Sequence, residues 1–354
     1  MQLAMGVFSA ILIVVGGGML TWELFSTGIP LIDRTPFSPQ QTIAEALQQP
    51  PEETWPGYLK TEYRNCHIWN PNPNTDDIVV WSGLCDSGLA DGEGTLIQKW
   101  MEDGVEQSMR YDGHMQDGKF SGSGTYVFMN GDHYEGDFTE HKRTGRGVIT
   151  FVNGESYEGD FVDGVFHGRG LYSWSSGIKF KGDFTNGKRN NYGMYTWANG
   201  NRYEGDFVGD TKNGRGTFYW VNGDRYEGDF IDDIRTGRGV FQWANGDRYE
   251  GDFVNNKRTG QGKFVWSNGN RYEGDFQEDK MAGQGVFIWA NGDRYEGDFV
   301  DDNMTGRGIA TISNGDRYEG DFVNKKFNGQ GVFISAGGVR LEGTFVDGRY
   351  VERK

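Results

Sequence analysis

Tryptophan recurs every 23 residues at Trp174, Trp197, Trp220, Trp243, Trp266 and Trp289. An indole's flat face and N–H suit it to resting against a peptide or a sugar ring. Tyr203, Tyr226, Tyr249 and Tyr272 keep the same beat, so both residue types are expected to form one aromatic stripe that holds a partner by contact. Groups for bond making are sparse. The five histidines, His67, His114, His133, His141 and His167, share no position in that beat, and acid–base work needs a base fixed within reach of its partner. Cys66, Cys85 and His67 fall one ligand short of a zinc site at usual spacing. Gly-x-Gly pairs such as Gly237-Arg-Gly239 look like phosphate cradles, but the pair recurs ten times and none precedes a helix start. Calcium would need six to eight converging oxygens, whereas the recurrent acids of successive units would stand ~10 Å apart. The expected activity is non-enzymatic, with no cofactor and no metal.

The elements that position the aromatics repeat just as strictly. Tyr-Glu-Gly-Asp-Phe occurs eight times, opening at Tyr134, Tyr157, Tyr203, Tyr226, Tyr249, Tyr272, Tyr295 and Tyr318. Phe180-Lys-Gly-Asp-Phe184 fills the missing beat, and Tyr111 and Leu341 extend it outward. Gly-x-Gly follows eleven residues after each opening aromatic, with Asn191-Tyr-Gly193 as the exception, and Asn-Gly or a substitute stands four residues before the next opening. Trp81-Ser-Gly-Leu-Cys85, with Gly92 and Gly94 behind it, is a degenerate opening 30 residues ahead of Tyr111. A fixed period of this size means units that bury a face against their neighbours rather than in one globular core.

Each unit alternates apolar and polar residues, so it is expected to be a β-hairpin. Loop parity selects the turn. A two-residue Asn-Gly turn would put the aromatics of the two strands on opposite faces. A three-residue Ala244-Asn245-Gly246 loop pairs Phe241 with Tyr249 instead. Phe241, Trp243, Tyr249, Gly251 and Phe253 then share one face, and Arg248, Glu250 and Asp252 the other. Gly251 should leave room for a neighbour's ring, and Gly237 and Gly239 should allow the positive φ with which the chain crosses to its second strand.

These residues resemble the MORN (membrane occupation and recognition nexus) repeat. The resemblance implies an all-β fold: an elongated, single-layer antiparallel sheet of tandem 23-residue hairpins with a groove along one face, used for assembly or tethering. Ten tandem repeats are expected over 111–340, a degenerate capping repeat over 66–110, and a truncated repeat with a charged tail over 341–354. Two strands per unit at ~4.8 Å spacing give a rod on the order of 100 Å long. The entry segment Asn65-Cys-His-Ile-Trp69 with Trp81-Ser-Gly-Leu-Cys85 is similar to that of bacterial MORN proteins, which implies a Cys66–Cys85 disulfide. Two buried free thiols are the other reading, and an even cysteine count fits an oxidising compartment.

Composition changes abruptly before the array. All eight prolines lie between Pro30 and Pro73, so residues 23–65 form a linker, with one short helix expected from Ser38 to Leu47. Leu3 to Trp22 carries no charge and has membrane-spanning length. An N-terminal transmembrane helix over 1–22 is expected rather than a cleaved signal, because no basic residue precedes the apolar run. The array is then expected to be extracytoplasmic, periplasmic or at the cell surface. Net charge is −16, so nucleic acid is disfavoured as a partner. The Arg248, Glu250 and Asp252 face should be a solvated lattice of modest ion pairs. A protein partner or a second copy of the chain is expected on the aromatic stripe. The rival is a lipid headgroup or a cell-wall glycan.

Overall fold

The computed structural model of the chain describes residues 57–70 and 76–351, and the regular structure there is entirely β. The expected helix at 1–22, the linker up to residue 56 and the end of the charged tail lie outside the described residues. Among the described residues no helix is long and apolar enough to cross a membrane.

Among the described residues twenty-seven strands make a single sheet. Each unit is a hairpin of unequal arms, such as Arg248–Val254 and Lys257–Val265. Phe241 faces Tyr249 across the three-residue loop, as parity requires. Trp243 N–H donates to Asp247 O (2.9 Å), Gly246 N–H donates to Trp243 O (3.0 Å), and Gly246 takes a φ of +95°. This is the type I turn closed by a left-handed glycine.

The crossing at the other end of the hairpin differs from the expectation. It is a two-residue turn, Asp232-Asp233 (φ 46° and 69°) in one unit and Asn255-Asn256 (φ 50° and 69°) in the next. Asp and Asn tolerate left-handed φ because their short side chains bond locally. Gly237 does have a positive φ (58°), but it serves a bulge within the return strand, where pairing jumps from Gly228↔Gly239 to Asp229↔Thr236.

The second turn residue also clasps the previous unit. Asn256 Oδ1 accepts Arg235 N–H (3.0 Å), and Asp279 Oδ1 accepts Arg258 N–H (3.0 Å). Asn256 and Asp279 N–H donate back to the Arg235 and Arg258 carbonyls. At the loop margin Asp247 Oδ1 accepts Ser267 N–H (2.8 Å). Both margins are therefore stitched from unit to unit, and stability accumulates through nearest neighbours.

The N-terminal cap begins earlier than the sequence suggests. β1 (Tyr58–Lys60) pairs antiparallel with β2 (His67–Trp69), with Leu59 and Ile68 buried, so residues 58–65 belong to the fold and not to the linker. β3 (Ile78–Trp81) and β4 (Leu84–Asp86) both pair antiparallel with β5 (Leu89–Glu102), to which β2 adds one parallel bridge. β6 (Val105–Gln116) continues from β5 through the turn Asp103-Gly104, so the longer spacing before Tyr111 is spent on lengthening one hairpin. A disulfide joins Cys66 to Cys85 with 5.4 Å between their Cα atoms, tying the β1–β2 hairpin to β4.

Candidate binding face

The aromatic face starts from a ring lying on glycine. A Cβ built at Gly262 would meet Tyr249 Cε2 at 2.5 Å, and one at Gly251 would meet the same hydroxyl. The space over Gly251 is therefore filled by its own unit's tyrosine and not by a neighbour's ring. Tyr249 Oη–H donates to Asp252 O (3.1 Å), and its counterparts repeat that bond three residues along, as in Tyr272 to Asp275 O (2.9 Å). Phe253 stands edge-on to Tyr249 (5.3 Å) and to Tyr226 of the preceding unit (5.0 Å). The Asp252 carboxylate accepts Gln261 N–H (3.3 Å), the donor that the bulge frees from the ladder. Each residue of the five-residue motif except the outward Glu thus has a defined task in folding.

The degenerate opening obeys the same geometry. Trp81 lies over Gly83 and Gly94, and its Nε1–H donates to Leu84 O (2.8 Å), three residues on, where the tyrosine hydroxyl would reach. Phe180 keeps the ring without the hydroxyl bond.

This packing corrects the expected stripe. Tyr203, Tyr226, Tyr249 and Tyr272 are 0% exposed, because the Phe of the next unit and a long side chain of the return strand close over each ring. Burial pushes their phenols well above the usual range. They are core, out of reach of a partner.

Trp174, Trp197, Trp220, Trp243, Trp266 and Trp289 form a separate, half-buried row. Ring contacts run through it without a break: Trp220 to Phe241 (5.2 Å), Phe241 to Trp243 (4.4 Å), Trp243 to Phe264 (5.2 Å) and Phe264 to Trp266 (4.3 Å). Among the described residues none accepts a hydrogen bond from these six indole N–H groups, in contrast to Trp81. A shallow depression of about 350 Å³ lies at the loop margin by Trp220 and Trp243, lined also by Gly223, Asp224, Ala244 and Gly246 and, from the polar face, by Tyr219, Arg225 and Gln242. A larger one, about 540 Å³, sits on the opposite face near Arg294 and Glu296. Of its charged walls Arg294 and Glu296 are paired (2.5 Å), as Arg248 and Glu250 are along the same face (2.6 Å).

Sequence reasoning missed a row of cations on the aromatic face. Arg258 lies over Trp243 (5.9 Å), Tyr249 (5.6 Å), Phe264 (5.3 Å) and Phe276 (5.5 Å). Arg235 covers the equivalent rings one unit earlier, and Lys212 and Arg189 continue the row. Arg189 and Arg258 each meet a carboxylate at 3.1 Å (Asp210 and Asp279), and Lys212 meets Asp233 at 2.8 Å. Arg235 instead bonds to Asn256 Oδ1 (3.2 Å), and burial lowers its pKa. The signal was the position nine residues after each opening aromatic, which holds Arg, Lys, Phe or Met throughout the array.

A one-layer antiparallel sheet of tandem hairpins with one close-packed aromatic face defines a β-repeat array. The MORN repeat model matches it ten times in tandem, at residues 111–133, 134–156, 157–179, 180–202, 203–225, 226–248, 249–271, 272–294, 295–317 and 318–340. The chain belongs to the MORN repeat family. No curated protein matches it in sequence. Solved structures similar to it include a streptogramin B lyase, at 11% identity over 77% of this chain and 88% of that chain with a TM-score of 0.13. Another is a catalytically inactive virginiamycin B lyase from Staphylococcus aureus with quinupristin, at 10% identity over 71% and 88% with a TM-score of 0.13. Scores this low carry no argument about fold or function.

Proposed function

We propose that this protein is a non-catalytic, membrane-anchored scaffold whose tryptophan row holds a partner chain outside the cytoplasm. One observation carries the reading: the hairpin does not need the indole. Ile312 and Ser335 stand at the tryptophan position of the last two full units, and Ala310 replaces the adjoining phenylalanine. Pairing there is unchanged, with Tyr295↔Ala310 and Tyr318↔Phe333 in the usual register. Six half-buried indoles whose N–H groups find no acceptor among the described residues are therefore surplus to folding, and large flat side chains of this kind dominate the energetics of contact surfaces. The charge-free run from Leu3 to Trp22 supports the anchor, and the Cys66–Cys85 bridge supports an oxidising side of the membrane.

The test is capture of partners from envelope extracts by the detergent-solubilised full chain and by a Trp220→Leu/Trp243→Leu/Trp266→Leu variant. Capture should vanish in the variant while the β circular dichroism signal persists. Unchanged capture by a folded variant would remove the row from the reading. Co-sedimentation with glycan and with vesicles covers the rival, although a net charge of −16 opposes anionic lipid.

A further inference from the structure

Resting on the tryptophan row as the partner-holding surface, we infer that its occupant is a proline-rich segment in the polyproline II conformation, lying along the array across the strands. Spacing is the first argument. Successive indoles are two strand spacings apart, about 9.4–9.8 Å. A polyproline II helix returns the same side every three residues, a repeat of ~9.3 Å. An extended strand in the same direction repeats every ~6.7 Å, and two turns of α-helix take ~10.8 Å. Across the five intervals from Trp174 to Trp289 the α-helix drifts out of step by roughly half a unit or more, whereas polyproline II stays close to the rings.

Donors are the second argument. A polyproline II backbone has no internal hydrogen bonds, so its carbonyls are free. The indole N–H groups of Trp174 through Trp289 lack acceptors among the described residues and recur once per ligand turn.

The experiment is a tryptophan-fluorescence titration of the detergent-solubilised full chain with blocked decaproline. A Gly-Ser decapeptide, chitohexaose and phosphatidylglycerol vesicles serve as comparison probes. Decaproline should saturate at a concentration at least tenfold lower than the Gly-Ser peptide. The triple leucine variant should lose about tenfold, and Trp243→Phe, which keeps a ring but no donor, should lose a smaller part. Affinity should rise in steps as the oligomer grows by three prolines. Equal binding of Gly-Ser, or decaproline binding unchanged in the folded variants, overturns the inference. Saturation by chitohexaose or vesicles alone does the same. If extract capture still depends on the tryptophans while decaproline fails, only this inference falls; if capture does not depend on them, the proposed function falls with it.

Discussion

Alanine at Gly262 adds a single methyl group beneath the Tyr249 ring. Its Cβ would lie 2.5 Å from Cε2 and from the hydroxyl oxygen and 2.7 Å from Cζ, about an ångström inside ordinary contact. The ring has no free direction. Phe253 and Phe276 stand edge-on at 5.3 and 5.0 Å, Arg258 covers it at 5.6 Å, and its hydroxyl is held by Asp252 O. Overpacking a filled core costs ~1–3 kcal/mol. Displacing the hydroxyl from its acceptor adds ~1 kcal/mol. Gly262 is outside the left-handed region, so alanine should recover ~0.5–1 kcal/mol of backbone preference. The expected net loss is about 2 kcal/mol. Because such arrays open locally, the assay is native-state hydrogen exchange over the strands Arg248–Val254 and Lys257–Val265. In a Tyr249→Ala background the same substitution should cost nothing or stabilise. Unchanged protection in Gly262→Ala, or an equal loss with the ring absent, would refute the claim that the ring excludes a side chain there.

Phe180→Tyr should supply the one missing hydroxyl bond, to Asp183 O, and stabilise its unit by ~1 kcal/mol in the same exchange experiment; a loss would mean that this unit's backbone has shifted. Burial holds His141 at about 3, below its ordinary 6.5, with Trp69 and Phe120 against its ring and Lys119 nearby. The unfolded chain therefore takes up a proton below pH 6.5 that the folded chain refuses. Stability of the cap should be full above that pH and fall by ~1.4 kcal/mol per unit as acid is added, ~2 kcal/mol at pH 5. His141→Asn, which tolerates the φ of 67°, should flatten that slope in pH-dependent exchange at Phe120; a slope that persists assigns the proton elsewhere. Cys85→Ser should loosen the β1–β2 hairpin by ~2–4 kcal/mol. In the native chain both thiols should resist alkylation until reduced, and ready labelling without reductant would contradict the bridge.

Strict periodicity made much of the architecture legible. The 23-residue beat gave the hairpins, and the parity of Ala244-Asn245-Gly246 gave the loop, the register and the two faces. Even the degenerate unit at Trp81 was visible, since Gly83 and Gly94 keep the offsets that Gly113 and Gly124 keep from Tyr111. The two-residue turns without glycine were not legible, although Asp117-Gly118, Asp163-Gly164 and Asn186-Gly187 do carry one. Glu140-His141, Asp232-Asp233 and Asn255-Asn256 share a left-handed geometry but no glycine, and their selection rests on polar side chains that also clasp the preceding unit. β1 was missed because three residues are too few to show a period.

Depth was the part of the candidate site that sequence could not supply. Tyrosine and tryptophan share the beat and the face, yet only the tyrosines are fully buried. The difference is position across the sheet. Tyr249 lies within a strand paired on both sides, to Phe241 and to Phe264, so rings of the neighbouring units close over it. Trp243 is the last residue before a loop and faces Asp247 across the turn, so its cover comes only from Phe241 and Phe264 at its sides and from Arg258, and it stays half-buried. An aromatic at a hairpin's middle is consumed by the fold, whereas one at its margin is left half open. Among the described residues no second layer covers the sheet, and distance from the loop separates buried from half-buried aromatics there better than residue type does. By that rule the row from Trp174 to Trp289 is the aromatic surface left half-buried, and it is there that we propose a partner is held.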